Sequence, residues 1–215
     1  MTDALVASGV IAVVRLRAAT SLAPTARALA AGGVGAVEIT LTTPGAIDAI
    51  GEIVHDDIPD VLVGAGTVLD ARTARSVIDA GARFVVSPAL DLEVVRTCRD
   101  RDVPCVPGAF TPTEILAAWR AGATLVKLFP AGAVGPGYVR DVLAPLPFLR
   151  LVPSGGVSFE NAGDWIRAGA AAVSVGSALV SPTLVARGAV AELTARARSL
   201  VSCVAAARRE SEDAS

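Results

Sequence analysis

The feature that most limits how this chain can fold is its punctuation. Eight short apolar runs, rich in β-branched residues and bounded by turn residues, recur along the 215 residues, at 10–15, 36–40, 61–65, 84–87, 103–106, 125–129, 150–153 and 172–176. Runs this short, apolar on both faces, read as strands of a buried parallel sheet. Between them lie amphipathic stretches of helical period, so the strands return at intervals of roughly 20–30 residues, as βα units require. Ser, Thr or Asp opens several of these helices. Thr20 or Ser21 precedes Pro24, Asp70 precedes 71–80, Thr111 is followed by Pro112 and Glu114, and Ser158 precedes 159–168.

A repeat of the stop signals agrees. Ala31-Gly32, Ala80-Gly81, Ala121-Gly122 and Ala168-Gly169 each close a helix just before a strand. The glycine spacings of 49, 41 and 47 each cover two βα units, and glycine in that place supplies a left-handed helix cap. Eight units in about 200 residues predict an α/β fold, a single-domain (β/α)8 TIM barrel over residues 1–215. Residues 2–9 are expected to form an N-terminal helix covering the barrel floor. Residues 208–215, Arg-Arg-Glu-Ser-Glu-Asp-Ala-Ser, are expected to fray as a polar tail. An open doubly wound sheet is the other architecture for such a pattern, but four units would leave half the chain unexplained.

Composition narrows the partners. Hydrophobic residues make up 53% of the chain, enough for a large core, and the net charge of −2 carries no basic block, which excludes nucleic acid as an expected partner. Cys98, Cys105 and Cys203 show no CxxC spacing, and their odd number argues against a disulfide framework, as in a reducing cytoplasm. Cys105, inside a predicted strand, reads as core packing. The N-terminus lacks a basic segment followed by a long apolar one, and no apolar run reaches spanning length, so neither signal peptide nor membrane anchor is expected. His55 is the only histidine and reads as solvated beside Asp56 and Asp57. No metal and no cofactor are expected; the composition leaves only a carboxylate site for a hard cation such as Mg²⁺. Trp119 and Trp165 fall on helices and are expected in the helix layer or a subunit interface, and Arg196 and Arg198 on a solvated helix face.

Lys127 is the only lysine, against 18 arginines. It sits in the apolar run Leu125-Val126-Lys127-Leu128-Phe129. Arginine cannot form an imine, whereas a lysine amine in an apolar site is a ready nucleophile. Side chains alternate along strands, so Leu125, Lys127 and Phe129 share one face. In the second strand Ala36, Glu38 and Thr40 share one face, with Val37, Ile39 and Leu41 opposite. The all-apolar sets suit the helix layer, so Lys127 and Glu38 both point into the barrel. Strands two and six stand half a ring apart in a barrel only wide enough for side chains to fill. A carboxylate beside an imine-forming amine is the arrangement that proton shuttling needs. A buried Lys–Glu pair serving structure alone has the same pattern.

Glycine turns end the last two strands, Ser154-Gly155-Gly156-Val157-Ser158 and Gly176-Ser177-Ala178. At these places in a barrel, backbone N–H groups and a helix N-terminus commonly hold phosphate. Arg15 ends strand one, where a guanidinium can clamp a carboxylate or phosphate. Thr67, after Gly64-Ala65-Gly66, offers a hydroxyl to a carboxylate. Pro88 and Pro107-Gly108 shape the ends of strands four and five. Arg17, Thr42 and Thr43 are weaker polar candidates.

These motifs together, Glu38-Ile-Thr-Leu, Gly64-Ala-Gly-Thr67-Val-Leu, Ser87-Pro88, Val126-Lys127-Leu-Phe-Pro130 and Pro153-Ser-Gly-Gly156-Val, resemble the class I aldolases of 2-keto-3-deoxy-6-phosphogluconate (KDPG) and 4-hydroxy-2-oxoglutarate (KHG). The resemblance runs over nearly the whole chain. It implies a metal-free homotrimeric (β/α)8 enzyme acting on a phosphorylated keto acid. Lys127 would form the pyruvate imine and Glu38 would act as general acid and base. Thr67 would lie near the pyruvyl carboxylate, and Ser154, Gly155, Gly156, Gly176 and Ser177 near the phosphate, with Pro88 and Phe129 also in the substrate site. One position departs from the family pattern. Many members read Glu-x-Thr-Leu-Arg-Thr, and Thr42 stands where that arginine does. Arg15 resembles an arginine on the first strand of other members, phosphogalactonate aldolases among them. The run from Phe129 to Pro136 also looks like that branch. Two further readings are a phosphate-binding barrel isomerase or epimerase, with Lys127 as an electrostatic group, and a non-catalytic phospho-ligand binding protein.

Overall fold

A computed structural model describes residues 2–56 and 58–213; Met1, Asp57, Ala214 and Ser215 lie outside the described residues. The strands are β1 (Val10–Val14), β2 (Ala36–Thr40), β3 (Leu62–Gly66), β4 (Val85–Val86), β5 (Cys105–Val106), β6 (Gly108–Ala109), β7 (Val126–Leu128), β8 (Leu151–Pro153) and β9 (Val173–Val175). The α-helices are α1 (Thr2–Val6), α2 (Leu22–Ala31), α3 (Ala46–His55), α4 (Ala71–Asp79), α5 (Leu92–Arg99), α6 (Pro112–Arg120), α7 (Pro136–Leu143), α8 (Ala162–Arg167), α9 (Pro182–Ala186) and α10 (Val190–Asp213). All eight expected strands are present, each within a few residues of its predicted bounds. The fifth differs: Pro107, which has no N–H to give, separates β5 from an additional β6.

The fold is an α/β arrangement around a curled parallel sheet. One run of strands is ordered β5-β4-β3-β2-β1-β9, another β6-β7-β8, and every pairing is parallel. Hydrogen bonds join the runs at both ends, among them Ala171 N to the Leu151 carbonyl between the β9 and β8 sides. Thr124 N donates to the Cys105 carbonyl, and Ser154 bridges Ser174 in parallel register.

Alternation along the strands produces two apolar clusters. Val37, Ile39, Val126, Leu128, Val173 and Val175 pack outward under the helices. Ile11, Ala36, Phe84, Val106, Leu125, Val152 and Ala172 meet on the other side, closed from one end by Leu5 of α1. Burying an aliphatic side chain of this size contributes about 1.5–3 kcal/mol, so the inner cluster is a stable floor. Glycine makes two of its approaches possible. A Cβ on Gly64 would lie 2.5 Å from the Phe84 ring, and one on Gly108 2.2 Å from the Pro88 carbonyl oxygen.

The helix signals mostly held. Asp70 Oδ1 accepts from Thr73 N, and Thr111 with Glu114 forms a complete capping box. Gly81, Gly122 and Gly169 take φ near +100°, but in the first repeat the left-handed residue is Gly33 (φ +89°), one place after the expected Gly32. Two starts differ. A 3₁₀ turn at Ala19–Ser21 precedes α2, and Ser21 makes no side-chain cap. α8 begins only after Asn161, which accepts from Ser158 N and donates to the Gly156 carbonyl, shaping the glycine turn instead.

Residues 208–213, expected to fray, continue α10. Arg208 donates to the carbonyls of Val6, Ala7 and Ala171, tying the end of α10 to the sheet's N-terminal side. Nor is Arg196 on a solvated face: it is half-buried, donates to the Ala178 carbonyl and stacks 5.0 Å from the Phe159 ring. His55 is exposed, Cys105 packs in the core beside Cys98, and Trp165 is fully buried in the helix layer while Trp119 leans on Phe148.

Candidate active site

A cavity of about 580 Å³ opens at the carboxyl ends of the strands. Its base is the layer one pleat above the apolar floor. Leu125 in the floor is followed two residues on by Lys127, Ala36 by Glu38, Val152 by Ser154 and Ala172 by Ser174. The inward phase expected for Lys127 and Glu38 is therefore what the backbone delivers. Lys127 Nζ lies 4.0 Å from Glu38 Oε1, the two side chains 9% and 2% exposed. The amine also stands 5.3 Å from the centre of the Phe129 ring. Phe129 is joined to Pro130 by a cis peptide bond.

Burial is the largest influence on Glu38 and raises its pKa above the ordinary 4.5, against the opposing pull of the Lys127 and Arg15 charges. Its second oxygen, Oε2, has no hydrogen-bond partner among the described residues. A carboxyl so placed, with its pKa raised by burial, can take up and return a proton. Gly66 makes the position possible. A Cβ there would sit 2.0 Å from Glu38 Oε1, which no rotamer of a well-packed strand can absorb without moving the carboxylate. Gly66→Ala is expected to lower turnover about 100-fold, as displacements near 1 Å do, measured as kcat at saturating substrate. Unchanged kcat would mean that the carboxylate position is not held by this gap.

The remaining expected residues surround the same space. Arg15 and Thr67 line it at the ends of β1 and β3, Pro88 after β4, and Ser154, Gly155, Gly156, Gly176 and Ser177 in the turns after β8 and β9. Thr67 adopts φ +63°, a left-handed conformation that costs a non-glycine residue on the order of 1 kcal/mol and is concentrated at working sites. Gly155 and Gly156 have φ +79° and +88°, and a Cβ on Gly156 would lie 2.7 Å from Gly132 Cα. The Gly132 and Ala131 amides donate to the carbonyls of Gly155 and Ser154, which locks the turn after β8 onto the segment after β7.

Three weaker candidates fall elsewhere. Thr42 is exposed, does not line the cavity, and shares a hydrogen bond of 3.0 Å with Thr40 Oγ1. Thr43 is buried and accepts from Leu16 N, a turn-fixing role. Arg17 lines a neighbouring cleft with Leu16 and Pro182. Ser174, Val13 and Pro182 line the cavity without having been singled out from sequence, and Val157, Ser158 and Ala178, named there only as parts of the turns or as a cap, line it too. Ser174 was findable, because the alternation that turns Glu38 inward also turns Ser174 inward between the outward Val173 and Val175.

Fold and site together define a class: a parallel α/β protein with an amine and a carboxylate paired in a cavity at the carboxyl ends of its strands. Comparison with known proteins narrows this. The family model "KDPG and KHG aldolase" matches residues 1–196. A 2-dehydro-3-deoxy-phosphogluconate aldolase from Treponema pallidum is 38% identical over 194 residues, covering 90% of this chain and 92% of its own. A probable 2-dehydro-3-deoxy-6-phosphogalactonate aldolase from Rhizobium meliloti is 38% identical over 151 residues, 70% of this chain and 71% of its own. Among solved structures, the KDPG aldolase of Legionella pneumophila, with pyruvate captured as a covalent carbinolamine, superposes with a TM-score of 0.86 at 29% identity, covering 93% of this chain and 97% of that one. The chain belongs to the KDPG and KHG aldolase family, and is accordingly a class I aldolase, a lyase.

Proposed function

We propose that the protein cleaves KDPG to pyruvate and glyceraldehyde 3-phosphate, with Lys127 as the imine-forming residue and Glu38 as general acid and base. KHG, which would give pyruvate and glyoxylate, is a further substrate in this reading. The observation that carries it is the buried pair at the base of the cavity: Lys127 Nζ and Glu38 Oε1, 4.0 Å apart. That gap is too long for a direct hydrogen bond and is wide enough for a reacting oxygen to exchange protons with the carboxyl.

The unprotonated Lys127 amine adds to the C2 ketone. Glu38, directly or through a water, supplies the proton with which the carbinolamine hydroxyl leaves as water. The resulting iminium is an electron sink. Glu38 removes the C4 hydroxyl proton, the C3–C4 bond breaks, and its electron pair passes to the iminium nitrogen. The aldehyde departs and an enamine of pyruvate remains. Protonation at C3 and addition of water release pyruvate and restore the amine. Covalent attachment makes the intermediate steps intramolecular. Thr67 and Arg15 hold the pyruvyl carboxylate in this scheme, Pro88 and Phe129 wall the site, and Ser154, Gly155, Gly156, Gly176 and Ser177 receive the phosphate. No step calls for a metal or cofactor.

The curled sheet is read as one closed (β/α)8 barrel and one domain, its two runs joined through Thr124 and through the Ser154–Ser174 bridge. The protein is read as a homotrimer, which rests on the family resemblance, and as cytoplasmic, since its cysteines are unpaired; among the described residues no helix is long and apolar enough to cross a membrane.

Thr42 and Arg15 favour a second reading of substrate. With Thr42 outside the cavity, the exposed Arg15 is the guanidinium at the site, the pattern that resembles phosphogalactonate aldolases. Pyruvate release measured on KDPG, its C4 epimer and KHG separates these. A kcat/KM for KDPG above that for the epimer is expected; the reverse order would move the assignment to 2-keto-3-deoxy-6-phosphogalactonate. Equal rates with and without the phosphate would contradict the role of the glycine turns.

A further inference from the structure

We propose that Ser174 is a specificity-determining residue, whose hydroxyl pairs with Ser154 to hold the hydroxyl on the carbon next to the aldehyde in the cleaved fragment, C5 of a six-carbon substrate. This rests on the aldolase reading above. Ser174 lies in β9 with its side chain turned into the cavity, 4% exposed as a residue, and Ser154 is 5% exposed. Among their strand neighbours both are hydroxyl-bearing exceptions: Ala172 and Val152 below them belong to the apolar floor, and the glycine turns stand above. Ser154 Oγ donates to Ser174 Oγ at 3.3 Å. Ser174 accepts in that bond, and no hydrogen bond among the described residues uses its own proton, so the pair ends in a spare donor on a residue that lines the cavity. A buried hydroxyl with an unused donor favours a ligand that accepts from it and penalises one that does not.

Position gives the ligand atom. A substrate held at C2 by Lys127 on β7, with its phosphate at the turns after β8 and β9, must cross the ends of β8 and β9 between those anchors. Glu38, on β2 across from the Lys127 strand β7 rather than beside β8 and β9, takes the C4 hydroxyl in that reading. The hydroxyl-bearing carbon left to face β8 and β9 is C5.

The test uses the aldol addition direction, with pyruvate as donor. Two acceptors are compared: glyceraldehyde 3-phosphate, and 3-phosphooxypropanal, which keeps length and phosphate but lacks the C2 hydroxyl that becomes C5. The wild-type enzyme is expected to prefer the hydroxylated acceptor about tenfold in kcat/KM, and Ser174→Ala to lose most of that preference. The loss should fall on glyceraldehyde 3-phosphate alone. Ser174→Thr, which keeps a hydroxyl, should retain part of the preference. Borohydride trapping of pyruvate by Ser174→Ala should match wild type, which separates this role from damage to the lysine site. A preference unchanged in Ser174→Ala, or absent from wild type, or a loss equal for both acceptors, overturns the proposal. Failure of the wild-type enzyme to trap pyruvate at all would instead refute the aldolase reading beneath it.

Discussion

Lys127→Arg is expected to abolish cleavage, lowering kcat by on the order of 10⁴-fold or more, while the protein remains folded. Arginine keeps a positive charge opposite Glu38, so the buried pair is not reduced to a lone carboxylate, a change that would itself cost several kcal/mol. The cavity of about 580 Å³ gives the larger head room. What is lost is the amine: a guanidinium forms no imine with a ketone under these conditions. With 18 other side chains already arginine and no second lysine, no neighbour can stand in for it. Steady-state pyruvate release, read beside the thermal unfolding midpoint, checks both halves. Residual activity within tenfold of wild type would mean that the lysine acts through its charge, as an isomerase or epimerase would use it.

Glu38→Gln is the second large effect, with kcat expected to fall about 10²–10⁴-fold. Pyruvate trapping should persist, only slowed, because the amine is untouched. Near-wild-type turnover would remove Glu38 from proton transfer. The same substitution reports on stability. Burial raises the folded pKa of Glu38 above 4.5, so across the interval from 4.5 up to that folded value the native state holds a proton that the unfolded chain has released. The stability linked to this group is therefore complete below 4.5 and declines as pH rises through the folded pKa. Glutamine keeps the shape and cannot ionise. Unfolding midpoints measured from pH 4 upward should show the variant gaining on wild type as pH rises. Curves that stay parallel would mean that Glu38 is ionised at no such cost.

Much of this was legible in the residues because alternation along a strand is strict. Once 36–40 and 125–129 are strands, the phases of Glu38 and Lys127 follow, and the curl of the parallel sheet brings them together. The glycine stops were equally legible, since left-handed φ at Gly81, Gly122 and Gly169 has few other occupants. What was not legible depended on contacts remote in sequence. Nothing local distinguishes Arg208 in a polar C-terminal run from a solvated residue; its carbonyl partners lie about 200 positions away at Val6 and Ala7. Ser158 looked like a helix cap, but Asn161 recruits it to the glycine turn and delays α8. In the sequence Gly66 is one glycine of the run Gly64-Ala65-Gly66 before Thr67, and only the packed structure reveals that its missing side chain is the space Glu38 fills.

The most direct test of Lys127 as the imine-forming residue is borohydride reduction in the presence of pyruvate, followed by peptide mass mapping. Because the chain carries a single lysine, the expected result is one reduced pyruvyl group on the peptide containing Lys127 and nowhere else, accompanied by irreversible loss of activity. An unmodified Lys127 peptide in protein that is fully active before treatment would contradict it.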